Sequence, residues 1–331
     1  MDLIYQIGIA VNLFFQNLGS WLSSPMNFFT FLGSENFYML VMPALFWCID
    51  AGLGFRVGMI LILGNQLNGF FKILFHGPRP YWIDTRVKPL GSETTFGVPS
   101  GHAQNAAGIW GYLAVNLKKN WAKVVFILII GLIGISRLYL GVHFLHDVLL
   151  GWLLGGLTLW LFIKFEKRVG EWASLQSAGK LILSIAGLSI LMIIIQLLTV
   201  FLVSNWTLPE SWRAMALMGA PDKPIDPFNV NGVFTITGIF LGMAGGYAWF
   251  YKRIGKYSAK GSFVQKALRY IIGVIGVIIF WYGLDMLFPD SYNWVGFFFR
   301  YFRYGLVGLW ISLGAPWIFI KTGLAHTEEN R

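Results

Sequence analysis

Cysteine is nearly absent: Cys48 is the only one in 331 residues. An intrachain disulfide and a cysteine-built metal centre are therefore excluded. Charge is scarce as well, at 12% of residues against 56% hydrophobic and 17% aromatic. That balance excludes a water-soluble globular chain and indicates a polytopic membrane protein, with membrane lipids as its surroundings. No lysine or arginine precedes Arg56, so the basic region of a cleavable signal peptide is missing and the first apolar segment is expected to stay in place. Acidic residues number 15 against 25 basic ones, a net charge of +10. The basic residues lie in short loops between apolar spans, where membrane topology accounts for them, so nucleic acid is not expected as a partner. Internal repeats, low-complexity tracts and a soluble domain are also missing.

A bilayer crossing needs roughly 20 mostly apolar residues. About nine are read, at 36–51, 54–75, 99–117, 121–140, 144–165, 181–203, 231–251, 267–287 and 297–320, which predicts an all-α integral membrane protein. In residues 3–31, Gln, Asn and Ser interrupt an apolar stretch long enough to span, and a helix lying in the interface is expected there. The chain then divides into an external or interfacial segment over 1–35, a membrane core over 36–165 and further membrane helices of unassigned role over 166–331. One side collects Arg56, "KKNWAK", "KFEKRVG" with Lys180, "YKRIGKYSAKGSFVQKALR", Lys321 and Arg331. The other holds Arg86, Lys88, Arg213 and Lys223 in loops, with Lys72, Arg79, Arg137, Arg300 and Arg303 near helix ends. The richer side is expected to be cytoplasmic, which puts the N-terminus outside and the C-terminus inside.

Three polar motifs fall at the external ends of neighbouring spans: "KILFHGPRP" with Lys72 and Arg79, "PSGH" from Pro99 to His102, and "SRLYLGVHFLHD" from Ser136 to Asp147. Ionisable groups at membrane depth are costly and point to function by default. Lys72, Arg79 and Arg137 put three cations at one face with no acid obviously placed to neutralise them all, so an anion is the natural partner. Arginine's forked donors fit phosphate, and lysine adds a point charge. A helix starting at Pro99 or Ser100 turns unpaired amides and a positive dipole end outward, and Gly101 allows close approach. The pattern suits a phosphoryl group.

His143 and Asp147 are four apart, so in a helix beginning here they share a face and the carboxylate can orient the imidazole. A neutral, oriented imidazole is a nucleophile. His102, at the start of another helix, can protonate a departing alkoxide. The cations would stabilise the transferring phosphoryl group, and neither a metal nor another cofactor is required.

Lys-x6-Arg-Pro, Pro-Ser-Gly-His and Ser-Arg-x5-His-x3-Asp, in that order, resemble the signature of the type-2 phosphatidic-acid phosphatase superfamily, which includes lipid phosphate phosphatases and the glucose-6-phosphatase catalytic subunit. The resemblance implies a phosphohistidine on His143, orientation by Asp147, proton donation by His102, and phosphate binding by Lys72, Arg79, Ser100, Gly101 and Arg137. The layout and "FKILFHGPRPYW" look more like glucose-6-phosphatase than the six-span lipid enzymes.

Taken singly, each of Lys72, Arg79 and Arg137 reads as a snorkelling residue at a span end. In joint motif spacing that reading fails. His76 and His146 are expected to be bystanders or to support other side chains. Arg300 and Arg303 are expected to anchor at the interface or pair, with Asp285 as one partner, and contact with a second phosphate is the alternative. Trp82, Trp110 and Trp152 read as packing or lipid-belt residues. The expected activity is hydrolysis of a phosphate monoester or diphosphate, most of all on a lipid such as phosphatidic acid, phosphatidylglycerophosphate or a polyprenyl phosphate. The membrane is expected to be a bacterial plasma membrane with the site outside, or an internal membrane with the site lumenal. A soluble sugar phosphate is the first alternative; a lipid phosphotransferase or a phospholipid-binding transporter are others.

Overall fold

The computed structural model describes residues 2–328; Arg331, counted above on the basic side, lies outside the described residues. The described chain is helical apart from one antiparallel ribbon, β1 (Lys256–Ser258) with β2 (His326–Glu328), in which Tyr257 faces Thr327. The helices are α1 (Leu3–Asn17), α2 (Ser23–Leu32), α3 (Glu35–Ala44), α4 (Ala51–Phe75), α5 (Pro80–Ile83), α6 (Gly101–Asn116), α7 (Asn120–Tyr139), α8 (Leu145–Leu175), α9 (Ala178–Leu202), α10 (Glu210–Gly219), α11 (Asn231–Arg253), α12 (Phe263–Ile278), α13 (Trp294–Leu309) and α14 (Ala315–Lys321).

Among the described residues seven helical segments are long and apolar enough to cross a bilayer, or eight if Ser20–Leu32 and Glu35–Ile49, bent by 52°, form one span. The sequence expectation of nine differs at two places. α3 is short and carries Pro43, so it qualifies only with the helix before it. α6 has 16 residues, because it starts at a cap, Ser100, that is itself fully buried.

The chain forms two compact units interleaved in sequence. The first, residues 1–38, 63–163 and 197–229, carries all three motifs. Here α8 lies directly on α6: a Cβ on Gly151 or Gly155 would overlap the carbonyl oxygens of Ser100 and Gln104, so only glycine permits this approach. Asn68 of α4 donates to Pro99 O at 3.2 Å and to Gln104 Oε1 at 2.9 Å, and Gln104 donates to Gly64 O at 2.9 Å. These buried polar groups are satisfied within the protein, as an apolar surround demands. α10 and its loops bring Trp206, Trp212 and Phe228 against Trp82 and Phe96. Residues 197–229 thus belong with the motifs although they follow them at a distance in sequence.

The second unit is residues 39–62, 164–196 and 230–331. α11 packs on α13 through small residues, with Gly242 against the Gly305 carbonyl. Arg269, fully buried, donates to carbonyls of Leu324, Trp47, Ala259 and Lys260. Arg303 pairs with Asp285, and Arg300 with Asp290 at 3.2 Å, which fulfils the pairing expectation.

Candidate active site

Arg79 sits just before α5 and has no solvent exposure. Its five N–H groups all meet protein acceptors: Nε gives to Thr95 O at 2.6 Å, Nη1 to Val142 O at 2.8 Å and His143 Nε2 at 3.3 Å, Nη2 to Thr95 Oγ1 at 3.2 Å and Phe96 O at 3.1 Å. Lys72, in the last turn of α4, gives to the same Thr95 Oγ1 at 2.7 Å. One threonine therefore fixes two cations.

Gly141, at φ +70°, ends α7 and opens a short turn before α8. A positive φ of that kind favours glycine. His143 lies in this turn, ahead of the helix, so it does not share a helix face with Asp147 as the spacing predicts. The contact forms by another route. Asp147, in the first turn of α8, reaches back so that Oδ2 accepts the Phe144 amide at 2.9 Å and lies 3.3 Å from His143 Nδ1. A carboxylate at a helix start is favourable in its own right, and here it also orients the imidazole. Burial, and then the Arg79 guanidinium, hold the His143 imidazole neutral, with its pKa down to about 3.

Ser100 caps α6, its hydroxyl accepting the Ala103 amide at 3.5 Å, and its own amide donates to Asp147 O at 3.0 Å. The starts of α6 and α8 are thereby tied together. Gly101 and His102 then occupy the first turn, whose amides have no earlier carbonyl within the helix. The His102 ring lies against Gly33, where a Cβ would come 3.3 Å from Cδ2.

Arg137, in the last turn of α7, donates from Nη1 to Thr30 Oγ1 and from Nη2 to Glu93 Oε1, each at 2.5 Å. Its Nε is buried and has no partner among the described residues. Glu93 therefore answers one of the three cations for which the sequence offered no acid. Partial burial on its own would raise the Glu93 carboxyl, but Arg79, Arg137, His102 and Lys72 together hold it well below the usual carboxylate range.

All eight residues singled out in the sequence, Lys72, Arg79, Ser100, Gly101, His102, Arg137, His143 and Asp147, fall in the first unit. Hydrogen bonds bring Lys72 and Arg79 together through Thr95, and Ser100 to Asp147. His146 touches Asp147 Oδ1 at 3.1 Å and stacks on Phe144. His76, at φ +35°, rests its ring on Trp206 at 4.5 Å. Trp82 packs beside Trp212, Trp110 on Phe37, and Trp152 against Gly134. Sequence reasoning passed over Thr95, Thr30 and Asn12. Asn12 Nδ2 donates to Leu138 O at 2.8 Å and His143 O at 3.0 Å, clamping both sides of the turn between α7 and α8. The one signal for it was a polar break in an apolar stretch.

Residues 53–171 match the family model of the PAP2 superfamily, and residues 234–327 match that of the PAP2 superfamily phosphatase transmembrane extension. The chain is 35% identical over 166 residues to phosphatidylglycerophosphatase B of Bacillus subtilis, covering 45% of this chain and 77% of that protein. It is 27% identical over 179 residues to human glucose-6-phosphatase 3, covering 46% of this chain and 51% of the relative, about half its length. Among solved structures, a transmembrane PAP2 type phosphatidylglycerolphosphate phosphatase from Bacillus subtilis aligns with a TM-score of 0.45 and 27% identity, over 51% of this chain and 89% of that one. By one family model that contains all three motifs, a second over the C-terminal helices, and 35% identity over 77% of phosphatidylglycerophosphatase B, this chain belongs to the PAP2 superfamily.

Proposed function

We propose that this chain is a membrane phosphatase that hydrolyses a phosphate monoester or diphosphate, foremost of a lipid, through a phosphohistidine on His143. The observation that carries this reading is the line Arg79 Nη1, His143 Nε2 and Nδ1, Asp147 Oδ2, with both contacts of the ring at 3.3 Å. A guanidinium only donates, so Nε2 accepts, and the ring proton sits on Nδ1 facing the carboxylate. Nε2 then carries the lone pair. It attacks phosphorus, the bond from phosphorus to the ester oxygen breaks with its electron pair on oxygen, and His102 supplies the proton that oxygen needs. As Nε2 becomes bonded to phosphorus, the Arg79 Nη1 proton it had accepted is free for a phosphoryl oxygen. Arg137 Nε, Lys72 and the amides of Gly101 and His102 supply further donors to the phosphoryl oxygens. Water next attacks phosphorus, gives its proton to His102, and returns His143 to the neutral state. The charge stabilisation that a metal clamp gives other phosphatases comes here from fixed cations.

A lipid substrate fits a site at the end of a helix bundle, because the tails can stay in the bilayer while the phosphate enters. The relative named phosphatidylglycerophosphatase B supports that class, and the glucose-6-phosphatases support a soluble sugar phosphate as the second reading. In the proposed topology α3 and α6 cross as well, giving nine crossings with the N-terminus outside, the C-terminus cytoplasmic, and the site on the outer, or lumenal, face. Phosphate release by purified protein over phosphatidic acid, phosphatidylglycerophosphate, polyprenyl phosphate and glucose 6-phosphate, with His143→Ala alongside, tests the reading. Release from none of these, or release independent of His143, overturns it.

A further inference from the structure

Glu93 is held from three directions. Its backbone amide donates to the Tyr81 hydroxyl at 3.3 Å, that hydroxyl donates back to Glu93 O at 3.1 Å, and Oε1 takes Arg137 Nη2 at 2.5 Å. Tyr81 is 3% exposed, so the clamp lies inside the protein. The other oxygen, Oε2, has no hydrogen-bond partner among the described residues, and the side chain is 32% exposed. A carboxylate is therefore presented, pre-positioned, to whatever enters.

Its place is informative. Its carboxylate binds Nη2 of Arg137, whose unpartnered Nε is assigned above to the phosphoryl group, so Glu93 borders the phosphoryl seat. An ionised carboxylate accepts hydrogen bonds and donates none. Beside a phosphate, such a group is repulsive unless a donor meets it, and Arg137 meets only Oε1. The complement of Oε2 is an O–H carried by the leaving group, close to the oxygen that departs.

Resting on the phosphatase reading above, we infer that Glu93 is a specificity-determining residue that accepts a hydrogen bond from a free hydroxyl near the scissile ester, so the favoured substrate is a phosphorylated polyol. A lipid headgroup with a phosphorylated glycerol and a free hexose phosphate both carry that chemistry. Phosphatidic acid and polyprenyl phosphate do not. A site built to bond a hydroxyl discriminates against the analogue that lacks it, because the bound substrate shields Oε2 from water and leaves it without a donor.

The test measures kcat/KM for two matched pairs in one detergent: phosphatidylglycerophosphate against its propanediol analogue lacking the free hydroxyl, and glucose 6-phosphate against hexyl phosphate. The wild type should favour the hydroxyl-bearing member of at least one pair by about tenfold or more, and the pair that responds tells lipid from soluble substrate. Glu93→Ala should bring that pair to within about twofold, and Glu93→Asp should restore part of the preference. Should Glu93→Ala not fold, Glu93→Gln, which keeps the shape without the charge, should still cut the ratio by about threefold. A wild-type ratio near one in both pairs, or an unchanged ratio in the variants, overturns the role of Glu93 while phosphate release stands. No release from any of the four compounds overturns the phosphatase reading itself, and this inference with it.

Discussion

Arg79 Nη1 lies 3.3 Å from His143 Nε2, and that contact sets the tautomer of the imidazole before any substrate arrives. The guanidinium can only donate, so Nε2 is the bare nitrogen and Nδ1–H turns to Asp147. In the proposed mechanism the same arginine both fixes the nucleophile and stands where the phosphoryl group would bond.

The first expectation follows from this division of labour. His143→Ala should lower phosphate release by at least about a thousandfold, whereas Asp147→Asn, which can still orient the ring but not favour its proton, should keep a measurable remainder of roughly one part in a hundred to ten thousand. Appreciable turnover by His143→Ala would remove the covalent route.

Acid should act elsewhere than on the nucleophile. Burial and Arg79 hold the His143 pKa down to about 3, below the ordinary value of about 6.5, so the reactive neutral form persists as pH falls from 7 to 5. The rate of acid-labile phosphoprotein formation under single-turnover conditions, at saturating substrate, should fall by less than about threefold over that range, while protonation of the acid His102 can only raise it. A tenfold loss by pH 5.5 would place the imidazole at its ordinary value.

Activity should survive a chelator and fall with vanadate, which mimics pentacoordinate phosphorus and would meet Arg137 Nε and the α6 amides. Turnover that disappears with chelation and returns with magnesium or zinc would count against the cation cluster as the only clamp.

Asn12→Ala should harm catalysis from outside the motifs. It removes two buried hydrogen bonds, to Leu138 O and His143 O, and leaves those carbonyls short of a donor at about 1–3 kcal/mol in all. A fall of a few degrees in Tm with a tenfold or greater drop in kcat is expected; unchanged kcat in a folded variant would show that the turn holds its shape without the clamp.

Orientation is open to chemical labelling. In a Cys48→Ser background, a cysteine replacing the exposed Lys223 should react with an impermeant thiol reagent in intact cells, and one replacing the exposed Lys119 should not. The reverse pattern would invert the proposed topology.

Motif spacing picked out eight residues that the fold gathers in one unit, with Arg79, His143 and Asp147 in one line of contacts. Hydropathy located the helices but could not count crossings, since α6 starts inside the protein at buried Ser100 and α3 depends on its bent neighbour. The geometry at His143 was half legible. Four-residue spacing anticipated contact with Asp147, yet the contact is a carboxylate reaching back to a helix start, which spacing cannot tell from a shared face. Glu93 was legible only as a polar loop residue able to meet substrate hydroxyls, not as the partner of Arg137, and Thr95 and Thr30 were illegible because a threonine in a loop or an apolar helix has common local explanations; only the fold shows what they touch.

Asn12 is synthesised 126 residues before Leu138 and 131 before His143. At ribosomal speeds that interval is on the order of ten seconds, during which α1 exists without the turn it will clamp. The last contributor, the stretch carrying Trp206 and Phe228, emerges later still. The turn at His143 is thus closed by an older part of the nascent chain and covered by a much younger one, so the order of synthesis keeps the proposed site unassembled until the stretch that ends at Phe228 has been made.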